Sequence, residues 1–377
     1  MRGSVSLGRI AGIQIGVHYT WLLAFLLIAW SLALGFFPSY YPGWTNTTYW
    51  ITGAIAAVLL FASVLLHELA HSFVAISRGM RVRSITLFIF GGVSNIEDEP
   101  SKAGTEFVMA FAGPLSSLIL AGIFFGIWKT ITDMASPLSA TLYYLWLINL
   151  LLAAFNILPG FPLDGGRVLR SILWGATGNL TKATNIAATV GRIFGWALIA
   201  YGIFELFNGN LLNGIWIAFI GWFLNSAADS SRRDLTMREQ LSGVRVKEVM
   251  NVNPECISPS TQVDSVVRES FIQRAKRSAL ICQDERLAGI VTLDDVKKLP
   301  QERWNQTPVE TIMTRSPIFS VKPEDDLNGA LKLLAQHGLN QVPVLSDGRV
   351  VGLLTRADVI RYIQVSQELG IKPKSPT

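Results

Sequence analysis

The chain has 377 residues, half of them hydrophobic and only 16% charged, and its mean hydropathy is +0.38. That is too apolar for an ordinary soluble enzyme and implies a bilayer, while the charge gathered after about Asp229 implies a second, water-facing domain. The formal net charge of +5 comes with basic residues flanking apolar runs and with no aromatic-basic patch, so it speaks for membrane orientation and against nucleic-acid binding.

A helical crossing needs about 20 apolar residues. Six runs meet that need: residues 17–36, 51–77, 107–131, 142–158, 190–207 and 211–227. The first is followed by Phe36, Phe37 and Pro38 rather than a small-residue cleavage site, so it reads as a retained span. His18, at its start, reads as a polar residue reaching for the interface. Arg2 and Arg9 precede this run, Arg78, Arg81 and Arg83 follow the second, Arg167, Arg170 and Lys182 follow the fourth, and Arg232 and Arg233 follow the sixth. These segments alternate onto one side, whereas the other side carries only Lys129 and an uncharged stretch at 38–50. Both termini are therefore expected in the cytosol.

The second run contains His67-Glu68-Leu69-Ala70-His71. Four residues make just over one helical turn, so both imidazoles lie on one face and can share a metal ion, with Glu68 beside them to accept a proton from water. Zinc suits this set because it lowers the pKa of its water to about 7. The alternative, a polar cluster that pairs helices, would keep two imidazoles and a carboxylate in the bilayer at high cost.

Residues 84–96 are rich in β-formers around Gly91-Gly92 and read as a hairpin near the cytosolic surface, either a covering loop or an edge that pairs with an extended peptide. In the third run, Ala112-Gly113-Pro114 reads as a kink with close packing rather than as part of the chemistry.

A catalytic zinc site usually takes three protein ligands and leaves one position open. Elimination within the apolar part leaves His18, Glu97, Asp98, Glu99, Asp133, Glu205 and Asp164. Asp164 stands out, because it lies in the segment Asn156-Ile157-Leu158-Pro159-Gly160-Phe161-Pro162-Leu163-Asp164-Gly165-Gly166, where two prolines and three glycines must break the fourth helix. An unwound segment can aim a carboxylate into a helical bundle, although a solvated cap for the following helix is also open to it.

These two motifs, in this order and each in an apolar setting, resemble those of the site-2 protease family of intramembrane zinc metalloproteases, over roughly residues 12–228. The resemblance implies that His67, His71 and Asp164 bind one zinc ion and that Glu68 is the general base. It extends to Phe90-Gly91-Gly92 and Ala112-Gly113-Pro114, and it implies that Asn156 lies beside the active site, where its amide could hold the scissile carbonyl; bonding to a neighbouring helix is the plainer role.

From Val244 the chain repeats itself: Met250, Gly289, Thr292 and Asp295 match Met313, Gly352, Thr355 and Asp358 at a constant offset of 63 residues (313 − 250 = 63), which reads as a gapless duplication. Each copy ends in Gly-x-hydrophobic-Thr-x-x-Asp opening a helix and resembles the cystathionine-β-synthase-type (CBS) domain, which pairs and often binds adenine nucleotides. The resemblance implies ribose and phosphate contacts at Thr292, Asp295, Thr355 and Asp358; a capping box is the plain reading of the same residues. The second copy, with Gln341-Val342-Pro343-Val344, fits better than the first, with Ser278-Ala279-Leu280-Ile281. The only cysteines, Cys256 and Cys282, lie in this part without metal-type spacing and suit a reducing, cytosolic setting.

The expected fold is thus a polytopic α-helical membrane protein of about six spans with a membrane-associated β-hairpin, followed by a soluble α/β tandem CBS module. The domains run 1–229 for the protease, 230–243 for a linker and 244–377 for the module, with copies near 244–303 and 307–366. The expected activity is zinc-dependent cleavage of a single-pass membrane protein in or near its transmembrane segment, in a prokaryotic plasma membrane, with lipid around the spans. ATP or AMP on the module is the expected regulator, and the module is a possible site of homodimer contact. An ion transporter and a non-cutting scaffold are the competing classes, but a transport site has no need of Glu68 placed directly after a ligand, and the intact set of His67, Glu68, His71 and Asp164 speaks against a scaffold.

Overall fold

Between the apolar runs stand the capping signals that fix where each helix begins. The computed structural model describes residues 4–370 except 90, 99, 253, 285 and 316, and except the side chains of 212, 231, 234–236, 238 and 239. The chain divides into two units, Met1–Arg233 and Asp234–Thr377.

The first unit opens with a hairpin of β1 (Ser4–Ile10) and β2 (Ile13–His18). Its two-residue turn places Ala11 and Gly12 at positive φ, the geometry that matches strand twist. The sequence reading missed this hairpin, because Ala-Gly is a weaker turn signal than Asn-Gly and a bulge between Ser6 and Gly8 breaks the alternation of β1. Next come α1 (Thr20–Ser31), a π-helical stretch Leu32–Phe36, α2 (Phe37–Tyr40) and α3 (Asn46–Ser77), which Thr45 caps by accepting from Thr48 N–H. Then β3 (Val82–Phe88) and β4 (Gly91–Ile96) form the expected hairpin, although Phe90 lies outside the described residues. The sheet order is β1-β2-β3-β4, with β2 and β3 parallel, so β4 is an edge strand.

Four more helices follow: α4 (Ala103–Thr130), α5 (Pro137–Asn156) capped by Ser136, α6 (Asp164–Thr177) and α7 (Leu180–Phe207) capped by Asn179. Five helical segments are long and apolar enough to cross a membrane among the described residues: Thr20–Tyr40, Asn46–Ser77, Ala103–Thr130, Pro137–Asn156 and Leu180–Phe207. The sixth run forms the first half of α8 (Leu211–Gln240), whose second half is charged and lies outside those five. Burial is inverted relative to a soluble protein: α3 hides Gly53, Ala56, Ala57, Ser63, His67 and Ser72 while exposing Ile51, Ile55, Val58, Leu66 and Phe73. Lipid replaces water as the partner of that apolar surface, and small residues let helices approach closely. A β-carbon at Gly53 would lie 2.9 Å from the Ala29 carbonyl of α1.

The second unit contains β5 (Asn251–Val252), β6 (Cys256–Ile257), α9 (Val263–Ser265) with a π-helical continuation Val266–Gln273, β7 (Ser278–Gln283), β8 (Arg286–Thr292) and α10 (Leu293–Val296). The second copy supplies α11 (Leu327–Gln336), β9 (Gln341–Ser346), β10 (Arg349–Thr355) and α12 (Arg356–Glu368). Strands β9 and β10 keep the offset of 63 from β7 and β8, but the helix before them does not: α11 begins 64 residues after α9 (327 − 263 = 64). The duplication is therefore not gapless. The first copy has one extra residue between its helix start and its strand, and the π-helical stretch absorbs it.

The leading segments are exchanged between copies. Leu241, Val244 and Val246 sit in the core of the second copy with Leu327, Leu334 and Leu354, while Val309 sits in the core of the first with Val263 and Val291. Gly352 makes room for Met250, and Gly289 for Met313. The expected linker at 230–243 is helical up to Gln240, and the residue after it, Leu241, is fully buried. Finally, Cys256 and Cys282 form a disulfide rather than standing as free thiols. Parallel pairing of β6 with β7 brings their α-carbons to 5.4 Å, a proximity that a sequence separation of 26 conceals.

Candidate metal centre

On α3, His67 and His71 are one turn apart and both 5% exposed. Their Nε2 atoms lie 3.2 Å from each other, and Asp164 Oδ2 lies 3.1 Å from each. The three atoms converge from α3 and from the first residue of α6, which the break at 157–163 after α5 turns toward the bundle. A triangle with sides of 3.1–3.2 Å is close to the edge of about 3.3 Å expected for a tetrahedron with bonds near 2.0 Å, so the donor set fits zinc.

The far side of each imidazole is held by α4. His71 Nδ1 donates to the Met109 carbonyl at 2.7 Å, which leaves its Nε2 with a lone pair for a metal, since a carbonyl can only accept. His67 Nδ1 meets Ser117 Oγ at 2.9 Å, which orients its ring in the same way. Between them in sequence stands Gly113. A β-carbon there would overlap His71 Nε2 and stand 2.6 Å from His67 Nε2, so the space in front of both nitrogens exists because residue 113 has no side chain. Gly113 packs closely, as expected, and what it packs against is the pair of imidazole Nε2 atoms. Pro114 is inside α4 and deprives Ala110 of the N–H its carbonyl would otherwise receive.

Glycines also seat the segment that carries Asp164. Side chains at Gly165, Gly166 or Gly191 would overlap the backbone of 157–161, and Phe161 N–H donates to the Ala187 carbonyl of α7 at 3.2 Å. Glu106, 1% exposed on α4, pairs with Arg170 and lies 3.9 Å from Arg167, tying α6 to α4 one and two turns beyond Asp164. From the sequence alone Arg167 and Arg170 read only as orientation signals. Glu106, a charge at the edge of an apolar run, was the visible hint of their partner.

Glu68 points to β4, where Ser94 Oγ donates to its Oε2 at 2.6 Å. Asn156 ends α5 with its amide donating to the Leu152 carbonyl at 3.0 Å, so it bonds its own helix and not the imidazoles or Asp164. His18, an alternative third ligand, pairs with Thr20 Oγ1 at 2.9 Å. His67, His71 and Asp164 are the one set of three metal-type ligands among the described residues.

In the second unit, Thr292 with Asp295 and Thr355 with Asp358 form reciprocal capping boxes at the starts of α10 and α12. Asp358 Oδ2 accepts from Thr355 N–H at 3.0 Å and Oγ1 at 2.6 Å. Asp295 does the same for Thr292 and also meets Lys298 Nζ at 3.1 Å. Burial opposes ionisation of Asp295, but its bonds from Thr292 and Lys298 outweigh that and hold its carboxyl below the usual range.

Residues 55–198 match the family described as Peptidase family M50, and residues 246–302 and 309–365 each match the CBS domain. The chain is 36% identical to the zinc metalloprotease named sll0528 of Synechocystis, over 97% of either chain. It is also 36% identical to the zinc metalloprotease named Rip3 of Mycobacterium tuberculosis, over 97% of this chain and 94% of that one. Among solved structures, the site-2 protease from Methanocaldococcus jannaschii is 34% identical, covering 61% of this chain and 95% of its own, with a TM-score of 0.45.

Proposed function

The chain belongs to peptidase family M50, the site-2 type of zinc metalloprotease, with a tandem CBS pair, and from that premise we propose how it cuts and what it cuts. The substrate is a single-pass membrane protein, hydrolysed at a peptide bond in or beside its transmembrane helix. The observation that carries this reading is the convergence of His67 Nε2, His71 Nε2 and Asp164 Oδ2 within 3.1–3.2 Å inside a helical unit whose outer surface is apolar.

His67, His71 and Asp164 would hold zinc, which when bound would supply Lewis acidity at the reacting centre. Glu68 is the general base: its carboxylate accepts a proton from the attacking water and returns it to the leaving nitrogen, so the carboxylate is unchanged over a turnover. Met109 and Ser117 keep both imidazoles facing the reacting centre. A transmembrane helix hides its peptide bonds in its own hydrogen bonds and must unwind to be cut. Edge strand β4 is the surface that receives the unwound segment, because backbone pairing there replaces the bonds the helix gives up. Asn156, at the end of α5, is a candidate to hold the scissile carbonyl after turning away from Leu152.

The distribution of basic segments favours both termini and the module in the cytosol of a prokaryotic cell. ATP or AMP on the CBS pair modulates cleavage, with Thr292, Asp295, Thr355 and Asp358 as contacts. Such control is bounded by differential affinity, and a ligand at 100-fold above its Kd supplies about 2.7 kcal/mol.

The test is cleavage in proteoliposomes of a single-pass peptide carrying a helix-breaking residue. Cutting that chelator abolishes and zinc restores supports the reading. Chelator-insensitive cutting, or none against a panel of such peptides by zinc-loaded protein, refutes it.

A further inference from the structure

The strand proposed to receive substrate also touches the proposed base. Successive residues of a strand face opposite sides, so Gly92 and Ser94 present one face of β4 while Val93, 40% exposed, presents the other. The inner face lies on Glu68. A β-carbon at Gly92 would overlap Glu68 Cγ and stand 3.1 Å from Cδ, so any side chain there would displace the carboxylate. Two residues on, Ser94 Oγ is 2.6 Å from Glu68 Oε2 and 3.2 Å from Ser72 Oγ.

The donors can be assigned. A hydroxyl has one proton and an ionised carboxylate only accepts, so Ser94 gives its proton to Glu68 and accepts from Ser72. Ser72 is fully buried one helical turn beyond Glu68, which anchors the far end of the chain. Charge-assisted hydrogen bonds of this length are short and directional, and they fix where a carboxylate points.

We infer that Ser94 is a positioning residue for proteolysis: through Ser72 and Glu68 it fixes the orientation of the base and ties it to the strand that carries the substrate. This rests on the hydrolytic reading above. Its consequence is geometric. A peptide added to β4 takes its register from the same strand that aims Glu68, so the scissile bond and the base share one reference frame.

The test measures kcat, KM and zinc content of full-length wild type, Ser94→Ala, Ser94→Thr and Glu68→Gln on one single-pass substrate. Ser94→Ala should lose about 10–100-fold in kcat while zinc content and KM stay at wild-type values, and Ser94→Thr, which keeps the hydroxyl, should recover most of the loss. Adding Ser94→Ala to Glu68→Gln should cost nothing further. A Ser94→Ala protein with wild-type kcat beside an inactive Glu68→Gln overturns this inference alone. Parallel losses of zinc, KM and kcat that threonine does not repair also overturn it, because they mark a strand-to-helix stitch. An active Glu68→Gln overturns the hydrolytic reading and this inference with it.

Discussion

Gly113 stands so close to His67 that a β-carbon on it would lie 2.6 Å from Nε2, and the same carbon would overlap Nε2 of His71. One absent methyl therefore keeps the front of both imidazoles open. Gly113→Ala should fold, since alanine favours a helix by about 1 kcal/mol over glycine, yet it should lose most of its zinc and its cleavage. Metal analysis beside a melting curve checks this, and a fully zinc-loaded Gly113→Ala protein would show that the cradle lies elsewhere.

Edge strand β4 gives the second prediction. Val93 faces away from Glu68 on this strand, so Val93→Pro removes a backbone N–H and rigidifies the edge without touching the base. Cleavage of a helical substrate should fall well below that of an unfolded peptide with the same cut site, with zinc content unchanged. Equal rates on both substrates for wild type and variant would remove β4 from substrate capture; Ile89→Pro, in the turn before β4, serves as a second probe.

The exchanged segments of the CBS pair predict how the module tolerates truncation. A fragment starting at residue 250 lacks Leu241, Val244 and Val246, all at most 2% exposed. Each such side chain contributes about 1.5–3 kcal/mol. It should melt far below a fragment starting at 240, and its loss should be confined to the second copy. Calorimetry with two resolved transitions for the short fragment, against one for the long, would bear this out; identical melting would refute the exchange.

Nucleotide control predicts that ATP, ADP or AMP raises the melting temperature of the 240–370 fragment, and that Asp358→Ala weakens this more than Asp295→Ala. Each aspartate is the third helical residue whose carboxylate bonds back to the N-cap threonine, so each substitution also costs some stability. The ligand-induced shift, not the melting temperature itself, is the relevant reading. No shift with any adenine nucleotide would leave the four residues as capping boxes.

The sequence makes legible what periodicity and local spacing encode. Apolar runs reveal the spans, His67 and His71 reveal a shared face of one helix, and the prolines before Asp164 reveal a break. It hides what depends on contacts between distant segments. Ser117 looks like any small residue of a membrane helix until α4 sets it 2.9 Å from His67. Ser94 looks like strand surface until β4 lies against α3. The same holds for Glu106 with Arg170, for Cys256 with Cys282, and for leading segments that complete the other copy's core. The extra residue in the first CBS copy is hidden because the offset of 63 is restored at β7.

The central claim is that one set of residues holds zinc while a different one moves the proton, and one measurement separates them. Zinc content and cleavage are determined on the same preparations of wild type, Glu68→Gln, His67→Ala, His71→Ala and Asp164→Ala. The account predicts one zinc per chain in wild type and Glu68→Gln, with cleavage by Glu68→Gln lower by about 10²–10⁴-fold, and loss of both zinc and cleavage in the other three. A zinc-loaded, active Asp164→Ala protein, or a Glu68→Gln protein that cuts at the wild-type rate, would contradict it.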